Sequence, residues 1–155
     1  MRKFARTIGA ALAAVYLIGL IGCGGAQKQD DPRQVVISMF GAMEKDDKAA
    51  LAHLLDLAAL MQAGPEDYSL GGGEPRRWTD PEQVLNDLTG NGLTKTRWFS
   101  LQRIVNNAEV TGETATVEVT FVDKAASKGY RTKFGVHLMG EKWKIFSFKM
   151  IQSEQ

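Results

Sequence analysis

Ala115-Thr116-Val117-Glu118-Val119-Thr120-Phe121 is the stretch that decides the fold. Its apolar residues occupy every second position, with Thr and Glu between them. A chain of period two lays its apolar side chains on one face and its polar ones on the other. That pattern predicts a strand of an antiparallel sheet with one face buried and one face in water. Its neighbours continue the pattern. Thr111-Gly112-Glu113 reads as a turn into the strand, and Lys124 to Gly129 as a hairpin loop out of it. Tyr130 to Met139 is the next strand, with Phe134, Val136 and Leu138 on one side. Gly140-Glu141 turns the chain into a last strand, Trp143 to Ile151. Upstream, Trp98 to Glu109 reads as a strand with an irregularity near Val105. In the last strand Phe146 and Phe148 fall on one face and Trp143 and Ile145 on the other. Strict alternation therefore makes both faces apolar and predicts a cover over the outer one: a second copy of the chain or another envelope protein.

Ahead of the strands the period is helical. Asp31-Pro32 is a start signal, the Asp capping and the Pro occupying the first helical position, where its missing N–H costs nothing. Val36, Met39, Phe40 and Met43 then share one face. Asp46-Asp47 turns the chain into a second helix, predicted from Lys48 to Ala63, and Gly64-Pro65 ends it. Glu66 to Trp78 has no periodicity and contains Gly71-Gly72-Gly73 and Arg76-Arg77. Asp80-Pro81 repeats the Asp-Pro device and opens a third helix that reaches Leu88, with Val84, Leu85 and Leu88 as its apolar stripe. Three helices followed by an antiparallel meander predict an α+β fold, helices packed on one face of the sheet.

In these pieces the chain resembles the nuclear transport factor 2-like superfamily. The resemblance rests on Pro32–Asp46 and Asp47–Ala63 as the first two helices, and on the hairpin ladder ending Gly140-Glu141-Lys142-Trp143-Lys144-Ile145. It covers most of residues 32–151, and within the superfamily it is closest to small lipoproteins of bacteria. It implies a curved sheet wrapped around the helices as a cone. The pocket of that cone holds small ligands in some members, mediates dimers in others and is filled by side chains in many.

The N-terminus carries a separate signal. Arg2, Lys3 and Arg6 precede an uncharged run from Ile8 to Ile21. As a helix it would extend about 21 Å at roughly 1.5 Å per residue, short for a membrane span and right for a signal h-region. Leu20-Ile21-Gly22-Cys23 closes it and resembles a bacterial lipobox, in which cleavage falls between Gly22 and Cys23 and the thiol is lipidated. The resemblance implies a diacylglyceryl thioether, and often a third, amide-linked chain. Cys23 is the only cysteine, which excludes an internal disulfide, and its Gly- and Gln-rich surroundings build no core around it. Residues 1–22 thus read as a signal peptide, 23–31 as a lipidated tether and 32–155 as the folded domain. Gly24, rather than Asp, after the Cys points to the periplasmic face of the outer membrane if the source is Gram-negative.

The chain has 19 basic and 18 acidic residues. Loss of Arg2, Lys3 and Arg6 with the leader would leave 16 basic against 18 acidic. So balanced a domain has no electrostatic reason to bind nucleic acid, and no polybasic run assists the lipid at the membrane.

Enzymes of the superfamily that isomerise or cyclise carbonyl compounds set an Asp or His base and Tyr or Asp donors in the cone. The residues here of those types are His53, His137, Asp56, Tyr68, Asp87 and Tyr130. His53 lies at the edge of the second helix's apolar stripe. His137 alternates with Val136 and Leu138 and is expected to face solvent, and Asp46, Asp47 and Asp56 are expected as caps or exposed helix positions. Arg76, Arg77 and Trp78, with His53 and Tyr68, could stand at the mouth of a pocket. Two distant His and no second Cys offer no metal-ligand spacing, and Gly71-Gly72-Gly73 lacks the Lys-Ser or Lys-Thr of a phosphate loop. The sequence therefore predicts no metal and no cofactor. It favours a non-enzymatic envelope module that binds a small apolar ligand or a protein partner, against an isomerase or cyclase, or a structural part of an envelope assembly.

Overall fold

The computed structural model describes residues 31–62 and 78–151, with side chains as far as Phe148. Among these residues there are five helices and then four strands: α1 Pro32–Glu44, α2 Lys48–Leu54, α3 Leu57–Gln62, α4 Pro81–Asp87, α5 Leu93–Phe99, β1 Gln102–Thr111, β2 Thr114–Asp123, β3 Lys128–Met139 and β4 Lys142–Ile151. The leader, Gly22, Cys23, the tether to Asp30, residues 63–77, which hold most of the stretch read as aperiodic from Glu66 to Trp78, and residues 152–155 lie outside the described residues. No described helix is long and apolar enough to cross a membrane.

The strands form one antiparallel sheet in the order β1-β2-β3-β4, a simple meander. The predicted alternation in β2 holds: Ala115, Val117, Val119 and Phe121 are buried while Thr116, Glu118 and Thr120 between them are only partly so. The helices lie on the buried side. α1 crosses it with Val35, Val36, Met39, Phe40 and Met43. The Asp31 carboxylate accepts from Arg33 N–H at 2.9 Å, and Pro32 is the first helical residue, as the Asp-Pro signal predicts. Asp80 does the same for α4, accepting from Gln83 N–H at 2.9 Å.

The predicted second helix is two. α2 stops at Leu54 because Leu55 turns to extended geometry (φ −103°, ψ 144°) and bridges Ile145 in parallel at the β4 edge. Asp56 N–H then donates to Ile145 C=O at 2.8 Å, and its carboxylate accepts from Ala59 N–H at 3.0 Å, capping α3. The break satisfies edge groups of β4 that would otherwise go unpaired, which outweighs the helix bonds given up. The break also shifts the phase of the buried side: Leu51, Leu55 and Leu60 are buried, while Ala58, in step with Leu51 and Leu55, is exposed.

Trp98 and Phe99 belong to α5, not to the first strand, which begins at Gln102. Trp98 is the one buried residue of that short helix, so no stripe announces it in the sequence. Its ring holds the helix in place from the centre of the core, within 5.4 to 5.9 Å of the centroids of Phe40, Phe121, Phe134 and Phe148. The irregularity expected near Val105 is a bulge between Val105 and Ala108.

A second bulge corrects the reading of β4. Gly135 pairs with Ser147 but Val136 pairs with Ile145, which leaves Phe146 as the extra residue. One extra residue inverts the alternation beyond it. Trp143, Ile145 and Phe148 therefore all face the core and are buried. Phe146 alone among them lies on the outer face, where its ring rests on Gly135. A Cβ on Gly135 would come within 2.7 Å of Phe146 Cζ. The bulge thus brings Trp143, Ile145 and Phe148 to one face of β4 and leaves Phe146 on the other.

Candidate functional site

The inner face of the sheet is filled by side chains among the described residues. Phe40, Trp98, Phe121, Phe134 and Phe148 meet in a cluster of mostly edge-to-face contacts. Arg103 closes one end: its guanidinium stacks 3.9 Å from the Phe99 ring centroid and donates to Trp98 C=O at 2.9 Å. Burial lowers its pKa, and the nearby Glu44 carboxylate acts the other way.

The ionisable candidates do not converge. His53 is exposed in the last turn of α2. Tyr130 packs partly buried against the core. Asp87 accepts from Thr94 N–H at 3.2 Å and from Thr94 Oγ1 at 2.6 Å, tying α4 to the start of α5. Asp47 caps α2, and Asp46 takes a left-handed φ of 56° between α1 and α2. Tyr68, Arg76 and Arg77 lie outside the described residues, as do Gly22 and Cys23. Trp78 is buried, perpendicular to Phe148 at 6.3 Å between ring centroids. No described group of three His, Cys, Asp or Glu is placed to hold a metal ion.

His137 does leave the core face, as predicted, but it is not simply solvated. Its Nε2 lies 3.1 Å from Asp56 Oδ2, and its ring stacks on Phe146 at 4.9 Å. The approach is off the line of a hydrogen bond, so the pair is a close polar contact rather than an aligned donor and acceptor. It ties the α2–α3 junction to the outer side of the sheet. A separation of 81 positions hid this pair from the sequence.

The described hollow of ligand size lies elsewhere, between α4 and the turn into α5. It has a volume of about 500 Å³ and is lined by Trp78, Gln83, Asn86, Asp87, Asn91, Gly92 and Leu93. Its walls are held from outside. Lys48 Nζ on α2 donates to Glu82 Oε1 at 2.6 Å and to Asn86 Oδ1. Asp46 accepts from Lys95 Nζ at 2.6 Å and from Gly90 N–H. Gln83 is locked to Thr79 by two hydrogen bonds, at 3.0 and 2.9 Å. Gly92 forms the floor, so close to the carbonyl oxygens of Asn86 and Asp87 that a Cβ would run into them. The sequence marked only Trp78 and Asp87 of this set. Asn86 and Asn91 carried no motif, although Gly90-Asn91-Gly92 reads as a turn.

No family model matches the chain, and no curated protein matches it. Solved structures similar to it include a designed nuclear transport factor 2-like protein, 14% identical over 77% of this chain and 95% of that chain, with a TM-score of 0.49. An overlap of that quality carries no argument. The architecture rests on the chain's own mixed α+β layout, with helices on one face of a four-stranded antiparallel sheet.

Proposed function

We propose that this chain is a lipid-anchored, non-enzymatic binding module of the bacterial cell envelope, carrying a nuclear transport factor 2-like domain. Cleavage after Gly22 and acylation of Cys23 would attach it, since two or more acyl chains anchor a protein stably where one does so only marginally. The observation that favours binding over catalysis is the filled inner face. An isomerase or cyclase needs a base and oxyanion donors around an empty volume. Here that volume holds Phe40, Trp98, Phe121, Phe134 and Phe148, while Asp56 and Asp87 are spent on caps and cross-ties. The braced hollow between α4 and α5 supports recognition of a ligand or partner there.

Four measurements test this. The intact mass of the native protein should fit a chain beginning at lipidated Cys23. Cys23→Ser should move the protein from the detergent phase to the aqueous phase. A native product that keeps residues 1–22 with a free thiol would refute the anchor. Native mass spectrometry of the protein from its own host should show a bound ligand or partner, and turnover of a carbonyl substrate by the purified protein would refute the non-enzymatic reading.

A further inference from the structure

Charge is unevenly divided along the chain. From Asp31 to Asp123 there are eight basic and fifteen acidic residues, and from Lys124 to the C-terminus seven basic and two acidic. The second group builds β3 and β4, and the pleat decides where its charges go. Thr132, Phe134 and Val136 are buried on the core side, so the residues between them stand on the outer face. There Arg131 lies opposite Thr120 and Lys133 opposite Glu118. On β4, Lys144 lies opposite His137 and Lys142 opposite Met139, on that same face. Lys133 and Lys142 are exposed, and the Arg131 side chain is half exposed. Glu118 offsets Arg131 at 3.9 Å, whereas Lys133, Lys142 and Lys144 form no ion pair with a described residue. No polybasic run announces this patch, because a strand of period two separates its cations and the hairpin gathers them again.

Resting on the lipid-anchor reading, we propose that the outer face of β3 and β4 docks on the anionic headgroups of the membrane that holds the anchor. Lys and Arg held near such a surface are drawn to its phosphates. Met139, 47% exposed at the hairpin end beside Lys142, adds an apolar side chain among cations, the mixture that suits the boundary between headgroups and acyl chains. The tether selects the occupant. Eight residues separate Cys23 from Pro32, so the start of α1 stays within about 30 Å of the lipidated residue at roughly 3.5 Å per residue. α1 begins beside β1, where Arg33 Nη2 donates to Val105 C=O at 3.3 Å. From there the outer side is one packed layer away, about 10 Å, and four strands about 4.8 Å apart span about 15 Å. Both distances are inside the reach of the tether, so this face can lie on the bilayer while the acyl chains stay inserted. A surface held at that range is met at a far higher effective concentration than a diffusing acidic partner. Glu109 and Glu118 occupy the β1–β2 half of the same face, which leaves no cationic track across it for a nucleic acid.

The test places the lipidated protein in vesicles of phosphatidylcholine, with and without phosphatidylglycerol. With Cys23 acylated, Thr116→Cys on the outer face, or Ala49→Cys at an exposed position of α2, supplies a single thiol for a fluorescent donor. Energy transfer to acceptor-labelled lipid then reads the distance of each label from the membrane. The label at 116 should come closer when phosphatidylglycerol is present, and the label at 49 should not. High salt should erase the difference. Lys133→Gln combined with Lys144→Gln should lower the ratio of docked to undocked domain about 25-fold, roughly fivefold for each cation. Lys45→Gln at the end of α1 should leave that ratio unchanged, and thermal melts that match the parent would show that the variants are folded. An outer-face label indifferent to phosphatidylglycerol, a helix-side label that approaches instead, or docking insensitive to the paired Lys variants would overturn the proposal. So would an acidic host protein that stays bound in detergent and is released by those same variants, since the occupant would then be a protein. Two labelled thiols per chain would refute the anchor instead. The docking face would then stand if that unlipidated protein floats at low salt with the anionic vesicles and not with the zwitterionic ones, and fall if it does not.

Discussion

Asp56→Ala separates two jobs that the structure gives to one carboxylate. Oδ1 caps α3 through Ala59 N–H at 3.0 Å, and Oδ2 lies 3.1 Å from His137 Nε2. Loss of an N-cap costs about 1 kcal/mol. The pair with His137 is 16% and 29% exposed on its two sides, so solvent screening holds its share to about 0.5 kcal/mol when the imidazole is protonated, the condition under which the variants are compared. The expected total is about 1.5 kcal/mol, or a fall in Tm of about 6 °C for a domain of this size. Asp56→Asn keeps the cap, because Asn caps as well as Asp, and should cost only about 0.5 kcal/mol. Asp56 N–H to Ile145 C=O is a backbone bond and survives either change. Urea unfolding followed by circular dichroism, at constant m-value, measures both variants. Combining Asp56→Asn with His137→Ala completes a cycle whose coupling term should be about 0.5 kcal/mol. If Asp56→Asn proves as damaging as Asp56→Ala, or if neither moves the midpoint, the capped junction described here is wrong.

Three further outcomes are expected. Gly92→Ala sets a Cβ against the carbonyl oxygens of Asn86 and Asp87, which belong to a helix end and cannot yield as a side chain would; a loss of about 2 kcal/mol or more in urea unfolding should follow. Gly135→Ala meets the Ser147 hydroxyl and the Phe146 ring instead, and should cost about 1–3 kcal/mol, much of it recovered when Phe146→Ala is added. The third concerns acid. Lys95 Nζ and then the Gly90 N–H hold the Asp46 carboxyl below its usual value of 3.8. Its contribution is full above the unfolded value and disappears as the pH falls through the lower folded one, so Asp46→Asn should flatten the stability profile below about pH 4 and leave its shape near neutrality unchanged.

Local chemistry was legible in the sequence wherever one residue type answered one need. The Asp-Pro pairs at 31–32 and 80–81 start helices because a carboxylate and a missing N–H suit a helix N-terminus whatever surrounds it. The alternation from Ala115 to Phe121 fixed which face of β2 is buried, since the pleat has a period of two in any sheet. Asp87 was noticed only as a titratable residue; its bonds to Thr94 depend on how two short helices meet.

Other features were settled by contacts between distant residues. A continuous second helix is the better local solution for residues 48–63, and it yields at Leu55 because the β4 edge offers backbone partners at Ile145. Trp98 carries no helical stripe, and its place in α5 follows from the four aromatic rings around it. The bulge at Phe146 turned an apparently two-faced strand into a one-faced one, because a single extra residue reverses every side chain beyond it. The amino-acid order thus determined the α+β class, the capped helix starts and the buried face of the central strand, all of which depend on neighbours within a few positions. The filled interior, the Asp56–His137 tie and the amide-lined hollow were decided only in three dimensions, where residues tens of positions apart share one volume.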